Sequence, residues 1–237
     1  MARNTRLVSI KGCPMVIFES PECISDEIIK YNNFWEYEVF DKWKQHFPKE
    51  GLMLDIGANI GGHCIQFNHH FPDLKIWAFE PYPPNYDILK INIAELPNVH
   101  GFSLGVGSGN SMVHFGNEFS KNCGSVMVVD PNSSFTKPLS NFVIALDTIT
   151  FPEPIKFIKI DIEGHEYSAF EGARELLLRD KPLIWLEDHG QPLGEGNSIK
   201  YLRGLGYEML DSYLEKDDKS STSSDFLMIH PDNVWYK

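Results

Sequence analysis

Apolar positions follow two rhythms in the N-terminal segment. Around Gly12 and Pro14, residues 7–18 alternate short apolar stretches, which predicts a pair of strands or a hairpin. From Ser25, read as an N-cap ahead of Asp26 and Glu27, the residues Ile28, Tyr31, Trp35, Val39, Trp43 and Phe47 recur at helical spacing up to Pro48. This predicts one helix, or two broken near Asn32–Asn33. After Gly51 strand and helix alternate: Leu52–Ile56, a helix over about 61–70, Lys75–Phe79, a helix over about 84–95, and Val99–Leu104. Such a βαβαβ order predicts a parallel sheet with helices on both faces. Residues 110–150 break the alternation with three short strand-like runs, Met112–Phe115, Ser125–Val129 and Phe142–Leu146, and are expected to form an inserted β excursion. It resumes with Lys156–Ile160, a helix over about 166–178, Leu183–Glu187, a helix over about 197–204, and the antiparallel pair Tyr207–Leu210 and Phe226–His230. The Ser-rich, charged stretch between the last two strands is expected to be a surface loop. The division predicted is an N-terminal extension, 1–50, packed on a core domain, 51–237.

Composition narrows the classes. The 237 residues are 42% hydrophobic and 13% aromatic, enough for a substantial core. With 33 Asp and Glu against 21 Lys and Arg, the formal charge is −12, which argues against a nucleic-acid partner, since gripping phosphates needs clustered cations. No apolar run approaches the roughly 20 residues of a bilayer span, and Lys11 and Pro14 interrupt any secretory core, so no membrane span and a cytoplasmic location are expected. Cys13, Cys23, Cys64 and Cys123 are scattered and are expected to be reduced thiols.

The strongest local signal is Leu52-Met-Leu-Asp55-Ile-Gly57-Ala58-Asn59-Ile-Gly61-Gly62, a buried strand entering a glycine turn that opens a helix. Doubly wound sheets bind ligands at that edge. The spacing departs from the G-x-G-x-x-G of dinucleotide sites, and Asp55 would repel a pyrophosphate while suiting a ligand with a cationic end such as S-adenosylmethionine. Glu80 ends the next strand, where an acid accepts ribose hydroxyls.

These motifs, with Phe79-Glu80-Pro81, Ala145-Leu146-Asp147, Lys159-Ile-Asp161-Ile-Glu163-Gly164-His165-Glu166, Phe170-Glu-Gly172-Ala173 and Pro182-Leu-Ile-Trp-Leu-Glu187, occur in the order seen in FkbM methyltransferases, and the chain resembles that family over roughly residues 34–231. The resemblance implies a Rossmann-like class I methyltransferase fold, a mostly parallel seven-stranded sheet with the last strand antiparallel. It also implies S-adenosylmethionine as cofactor and methyl transfer to a hydroxyl of a sugar, a deoxyhexose such as rhamnose or fucose, or of a polyketide. By position, Asp55, Gly57, Ala58, Asn59 and Gly61 would surround the methionyl part. Glu80 and Pro81 would meet the ribose, and Ser103 and Leu104 the adenine. The family's habits suggest a module of a larger glycosyltransferase polypeptide. A non-catalytic accessory module is the reading from another class.

A second cluster is predicted on the same sheet edge: Asp161, Glu163, His165 and Glu166 past one strand, Glu187, Asp188 and His189 past its neighbour. A sugar hydroxyl is a weak nucleophile, so two mechanisms compete. His165 or His189 removes the proton while carboxylates such as Asp161 and Glu163 orient the hydroxyl; or Asp161 with Glu187 or Asp188 holds Mg²⁺ or Mn²⁺, as in metal-dependent sugar O-methyltransferases whose L-D-x-D element this segment partly resembles. Glu163 and Glu166 can equally favour a helix N-terminus. His63 stands near the glycine turn, and His69 and His70 are read as a solvated helix end. Trp35 and Trp43 are read as packing residues, Glu36 and Glu38 stay ambiguous, and Lys159 is read as structural, facing away from Asp161. The extension and the β excursion are the expected walls of the acceptor pocket.

Overall fold

The computed structural model describes residues 4–115, 139–188, 197–214 and 224–236. Strands β1 (Thr5–Ile10) and β2 (Cys13–Phe18) form an antiparallel hairpin turning at Lys11–Gly12. Helix α1 (Cys23–Tyr31) follows, then α2 (Tyr37–Trp43). The break falls at Asn32, which caps α1 in the left-handed conformation that Asn tolerates better than most residues. The N-cap differs from expectation. Glu22 caps the helix, its carboxylate accepting from Ser25 N at 2.7 Å, while Asp26 reaches back to Glu22 N at 3.2 Å; Ser25 is itself fully buried in the first turn.

The alternating region forms β3 (Glu50–Ile56), α3 (Gly62–His70), β4 (Asp73–Phe79), α4 (Pro83–Asn92), β5 (Val99–Phe102) and the two-residue β6 (Gly105–Val106). Beyond it lie β7 (Ser111–Phe115), β8 (Leu139–Ile144), a 3-10 turn Leu146–Thr148 and β9 (Ile155–Ile160). Then come α5 (Glu166–Glu171), α6 (Arg174–Asp180), β10 (Leu183–Asp188), α7 (Asn197–Gly204), β11 (Glu208–Leu214) and β12 (Ser224–Ile229). One seven-stranded sheet has the order β11-β12-β10-β9-β3-β4-β5, with β12 antiparallel to both neighbours. The α/β, mostly parallel sheet and its reversed last strand match the expectation. The excursion is a separate three-stranded sheet, β6-β8-β7; the run Ser125–Val129 lies outside the described residues.

Strand alternation distributes the core between the sheet's faces. Leu54, Ile56, Ile158, Ile160, Ile184 and Leu186 face α5, α6 and α7. Met53, Phe157, Leu183 and Trp185 face α2 and α3, where Phe40, Trp43, Phe47 and Phe67 pack on them. Phe47 stacks on Trp185 at 5.8 Å between centroids and Trp43 meets it edge-on at 5.9 Å. The extension thus shares the core of the sheet. A third cluster joins the hairpin and α1 to α3 and α4 through Met15, Ile17, Ile28, Ile65 and Ile88.

The helix expected over 166–178 is two helices. At Gly172 the chain passes so close to Gly107 that an added Cβ would lie 1.9 Å from the Gly107 carbonyl oxygen. Asp147 then restarts the helix, its carboxylate accepting from Glu175 N and Leu176 N, both at 2.9 Å. Asp147→Ala should therefore cost about 1 kcal/mol, a fall in Tm of about 2–4 °C, measurable by thermal denaturation. Among the described residues no helix is long and apolar enough to cross a membrane, and the described cysteines Cys13, Cys23 and Cys64 are free thiols.

Candidate active site

The carboxyl ends of β3, β4, β9 and β10 open into a cavity of about 480 Å³. One wall comes from the glycine turn: Gly57, Ala58 and Asn59 line it beside Glu80 and Pro81. Asn59 sits at φ 51°, which turns the chain toward α3. Glu80 is buried, accepting from Asn59 N at 2.9 Å and Tyr82 N at 2.7 Å. Burial pushes its carboxyl up to about 7, with the nearby charges of Asp161 and Asp55 adding to the rise and the two N–H donors opposing it.

Three residues assigned to the cofactor lie outside the lining. Asp55 is fully buried beneath the turn; its Oδ2 accepts from the Cys64 thiol at 3.2 Å, and its Oδ1 is buried without a hydrogen-bond partner. Gly61 is needed for its φ of 86° and its contact with Leu89, not for approach to the cavity. Ser103 accepts from Asn141 at 2.8 Å, while its neighbour Leu104 lines the cavity. The extension contributes Met15, Ile24, Ile28 and Trp35, and the excursion Ser111, Val113, Phe115 and Val143, so both segments expected to wall the site line it.

The opposite wall carries the charged cluster. Asp161, Glu163, His165 and Glu187 line it together with Lys159. His165 and Glu163 are exposed at the mouth, Glu163 at φ 55°. Glu166 accepts from Ile162 N and Gly164 N, both at 3.1 Å, so it holds the loop closed rather than entering the site. His189 lies outside the described residues.

Lys159 does not face away from Asp161. Residues two apart in a strand point to the same side, so Lys159 projects with Asp161, across from Asp55 on β3 and Trp185 on β10. Its ammonium is 3.2 Å from Asp161 Oδ2, 3.9 Å from Glu36 Oε2 and 5.6 Å from the Trp185 ring centroid. Burial alone lowers a lysine's pKa, but Asp161, Glu36, Asp55 and Glu187 more than offset it and hold the ammonium charged. In return, although burial pushes Asp161 up, Lys159 and a hydrogen bond with Glu187 bring it below the usual carboxylate range. Glu187 goes the other way, raised by burial and then by the charges of Asp161 and Glu36, so the pair shares one proton.

Glu36 and His63 are the residues sequence reasoning did not place. Glu36 opens α2 at φ 54°, a strained conformation for a non-glycine residue, and its buried carboxylate lies 3.2 Å from His63 Nε2. The carboxylates of Glu36, Asp161 and Glu187 offer oxygens within 4.8 Å of one another. They do not fit a divalent ion, because it would be set against the Lys159 ammonium already among them. Asp188, expected as a metal ligand, alternates with Glu187 to the other face of β10, the side of Leu186.

The strand order, the reversed last strand, the glycine turn and the acid ending β4 define a Rossmann-like α/β fold of the methyltransferase class. The model of the methyltransferase FkbM domain matches residues 55–215, and the chain belongs to that family. Among solved structures, the methyltransferase FkbM from Methylobacillus flagellatus superposes with a TM-score of 0.56 over 76% of this chain and 44% of its own, at 20% identity. TYW2 of M. jannaschii, in complex with AdoMet, superposes at 0.51 over 97% and 88%, at 12% identity. Among curated relatives, the hexuronic acid methyltransferase AglP of Haloferax volcanii is 26% identical over 144 residues, 60% of this chain and 58% of its own. Methyltransferase sdnD of Sordaria araneosa is 31% identical over 90 residues, 34% of this chain. The chain thus spans 35% of the latter and 58% of the former.

Proposed function

We propose that this protein is an S-adenosylmethionine-dependent O-methyltransferase acting on a sugar hydroxyl. The observation that carries the reading is a single cavity with the glycine turn and Glu80 on one wall and Asp161, Lys159, Glu187 and His165 on the other. The buried carboxylate of Glu80 beside the glycine turn fits a nucleoside's ribose, and Asp161 on the facing wall suits a cationic amino-acid end. A hexuronic acid methyltransferase among the relatives supports a sugar acceptor. Bound S-adenosylmethionine would supply an electrophilic methyl on sulfur.

The chain's own residues then have separable tasks. Glu80 accepts the ribose hydroxyls. Asp161, kept ionised by Lys159, accepts a hydrogen bond from the acceptor hydroxyl and aligns its oxygen. A carboxylate held below its usual range is a weak base, so the imidazole of His165, on the same wall and open to solvent, takes the proton as the O–C bond forms. No step uses a metal.

Titration with S-adenosylhomocysteine against NAD tests the cofactor; micromolar binding of NAD alone would sink the reading. Product NMR on a panel of deoxysugar and uronic-acid glycosides tests the acceptor, and full activity is expected after exhaustive chelation with EDTA. Cofactor binding without methylation of any glycan would favour an accessory role. Affinity for S-adenosylhomocysteine should also depend on pH. Ribose hydroxyls prefer the ionised Glu80, so binding should weaken as pH falls below about 7, by up to about tenfold per unit. Glu80→Gln should flatten that dependence in calorimetry.

A further inference from the structure

We propose that Lys159 is a built-in cation standing where a divalent metal would otherwise sit, and that its ammonium is what closes the Glu36, Asp161 and Glu187 carboxylates to metal ions. Three observations converge. The three carboxylates, from α2, the end of β9 and β10, bring oxygens within 4.8 Å of one another, close enough to share one cation. The ammonium, only 2% exposed, already lies 3.2 Å from Asp161 and 3.9 Å from Glu36. Glu36 itself sits at φ 54°, a conformation that survives only where the surroundings over-determine it.

The placement has an electrostatic reason. Three carboxylates in a buried wall repel one another unless a cation or protons intervene. A lysine rooted in the sheet supplies one positive charge permanently, while Asp161 still lines the cavity that a hydroxyl would enter. A divalent ion would need the central space that the ammonium fills. The face of the Trp185 ring lies 5.6 Å from the ammonium, which favours the cation further. His63, against Glu36, belongs to the same enclosure.

The inference deepens the metal-free reading proposed above, but its test does not pass through turnover, so the two can fail separately. The full chain, stripped by chelation, is titrated with Mn²⁺ and free aqueous ion is read by electron paramagnetic resonance. The wild type should take up no ion that depends on Asp161. Lys159→Met should bind one, roughly a hundredfold or more tighter than the wild type, because it leaves buried carboxylate charge uncompensated. Adding Asp161→Asn should abolish that uptake, and Lys159→Arg, which keeps the charge, should stay closed. Uptake by the wild type that Asp161→Asn removes would overturn the proposal. So would a folded Lys159→Met chain, by circular dichroism, that binds no ion. Should Lys159→Met fail to fold, Lys159→Gln takes its place, and the wild-type and Lys159→Arg arms decide against the proposal on any Asp161-dependent uptake.

Discussion

Asp161→Asn is expected to lower kcat roughly a hundredfold or more while S-adenosylhomocysteine still binds within a few fold of the wild-type affinity. Asparagine keeps the shape of the side chain and loses its charge. The Lys159 ammonium, 3.2 Å from the carboxylate it loses, is then left with Glu36, Asp55 and Glu187 as its acidic neighbours. Glu187, raised by burial and then by the charge of Asp161, sheds its proton more readily once that charge is gone. The negative charge therefore moves from the end of β9 to β10 and away from the alignment the hydroxyl needs. Two further measurements follow. The residual activity of Asp161→Asn should rise with pH as Glu187 ionises, and Asp161→Asn/Glu187→Gln should lose that rise. Equilibrium binding and single-turnover rates at saturating cofactor separate the contributions. If binding collapses and the saturated rate is unchanged, Asp161 holds the cofactor and not the hydroxyl.

The sequence was most readable where local chemistry and periodicity agree. Leu52–Ile56 running into Gly57 names both a buried strand and its turn, and the switch from helical spacing to βαβαβ locates the parallel sheet. The reversed β12 was visible as a second strand beyond Tyr207. The acid side of the site was readable because Asp161, Glu187 and Glu80 each lie at or just past the carboxyl end of a strand. Lys159 was open to the same reasoning: a period of two puts it beside Asp161, not on the opposite face to which the sequence reading assigned it. Glu36 carried no such signal. Its place in the cluster depends on α2 docking against Trp185 across the sheet, a tertiary contact that helical spacing alone does not specify. Asp188 misled because a strand end presents two adjacent acids and only the pleat decides which of them turns inward.

Among the described residues, Gly57→Ala is expected to be the most damaging single added methyl. The residue sits at φ 87°, where an alanine costs about 1–2 kcal/mol. Its Cβ would lie 1.8 Å from the carbonyl oxygen of Asp161 and 2.9 Å from the carbonyl carbon, both backbone atoms that cannot rotate aside. Relief requires the ends of β3 and β9 to part, yet they are held by Asp161 N donating to Ile56 O at 3.0 Å, and Gly57 N is held to Phe79 O at 2.9 Å. Adding roughly 1–3 kcal/mol for the wedge brings the loss to about 2–5 kcal/mol, or a fall in Tm on the order of 10 °C. The wedge also acts on the residue that aligns the hydroxyl, so turnover should fall by at least about a hundredfold at temperatures where the variant is still folded. Gly61→Ala is the control. It has nearly the same φ, 86°, but its nearest contact is the flexible Leu89 Cδ1 at 2.8 Å. It should cost only the backbone term of about 1–2 kcal/mol and leave kcat within a few fold. Equal losses of stability and of turnover in the two variants would mean that the close approach of Gly57 to Asp161 does not set the geometry of the site.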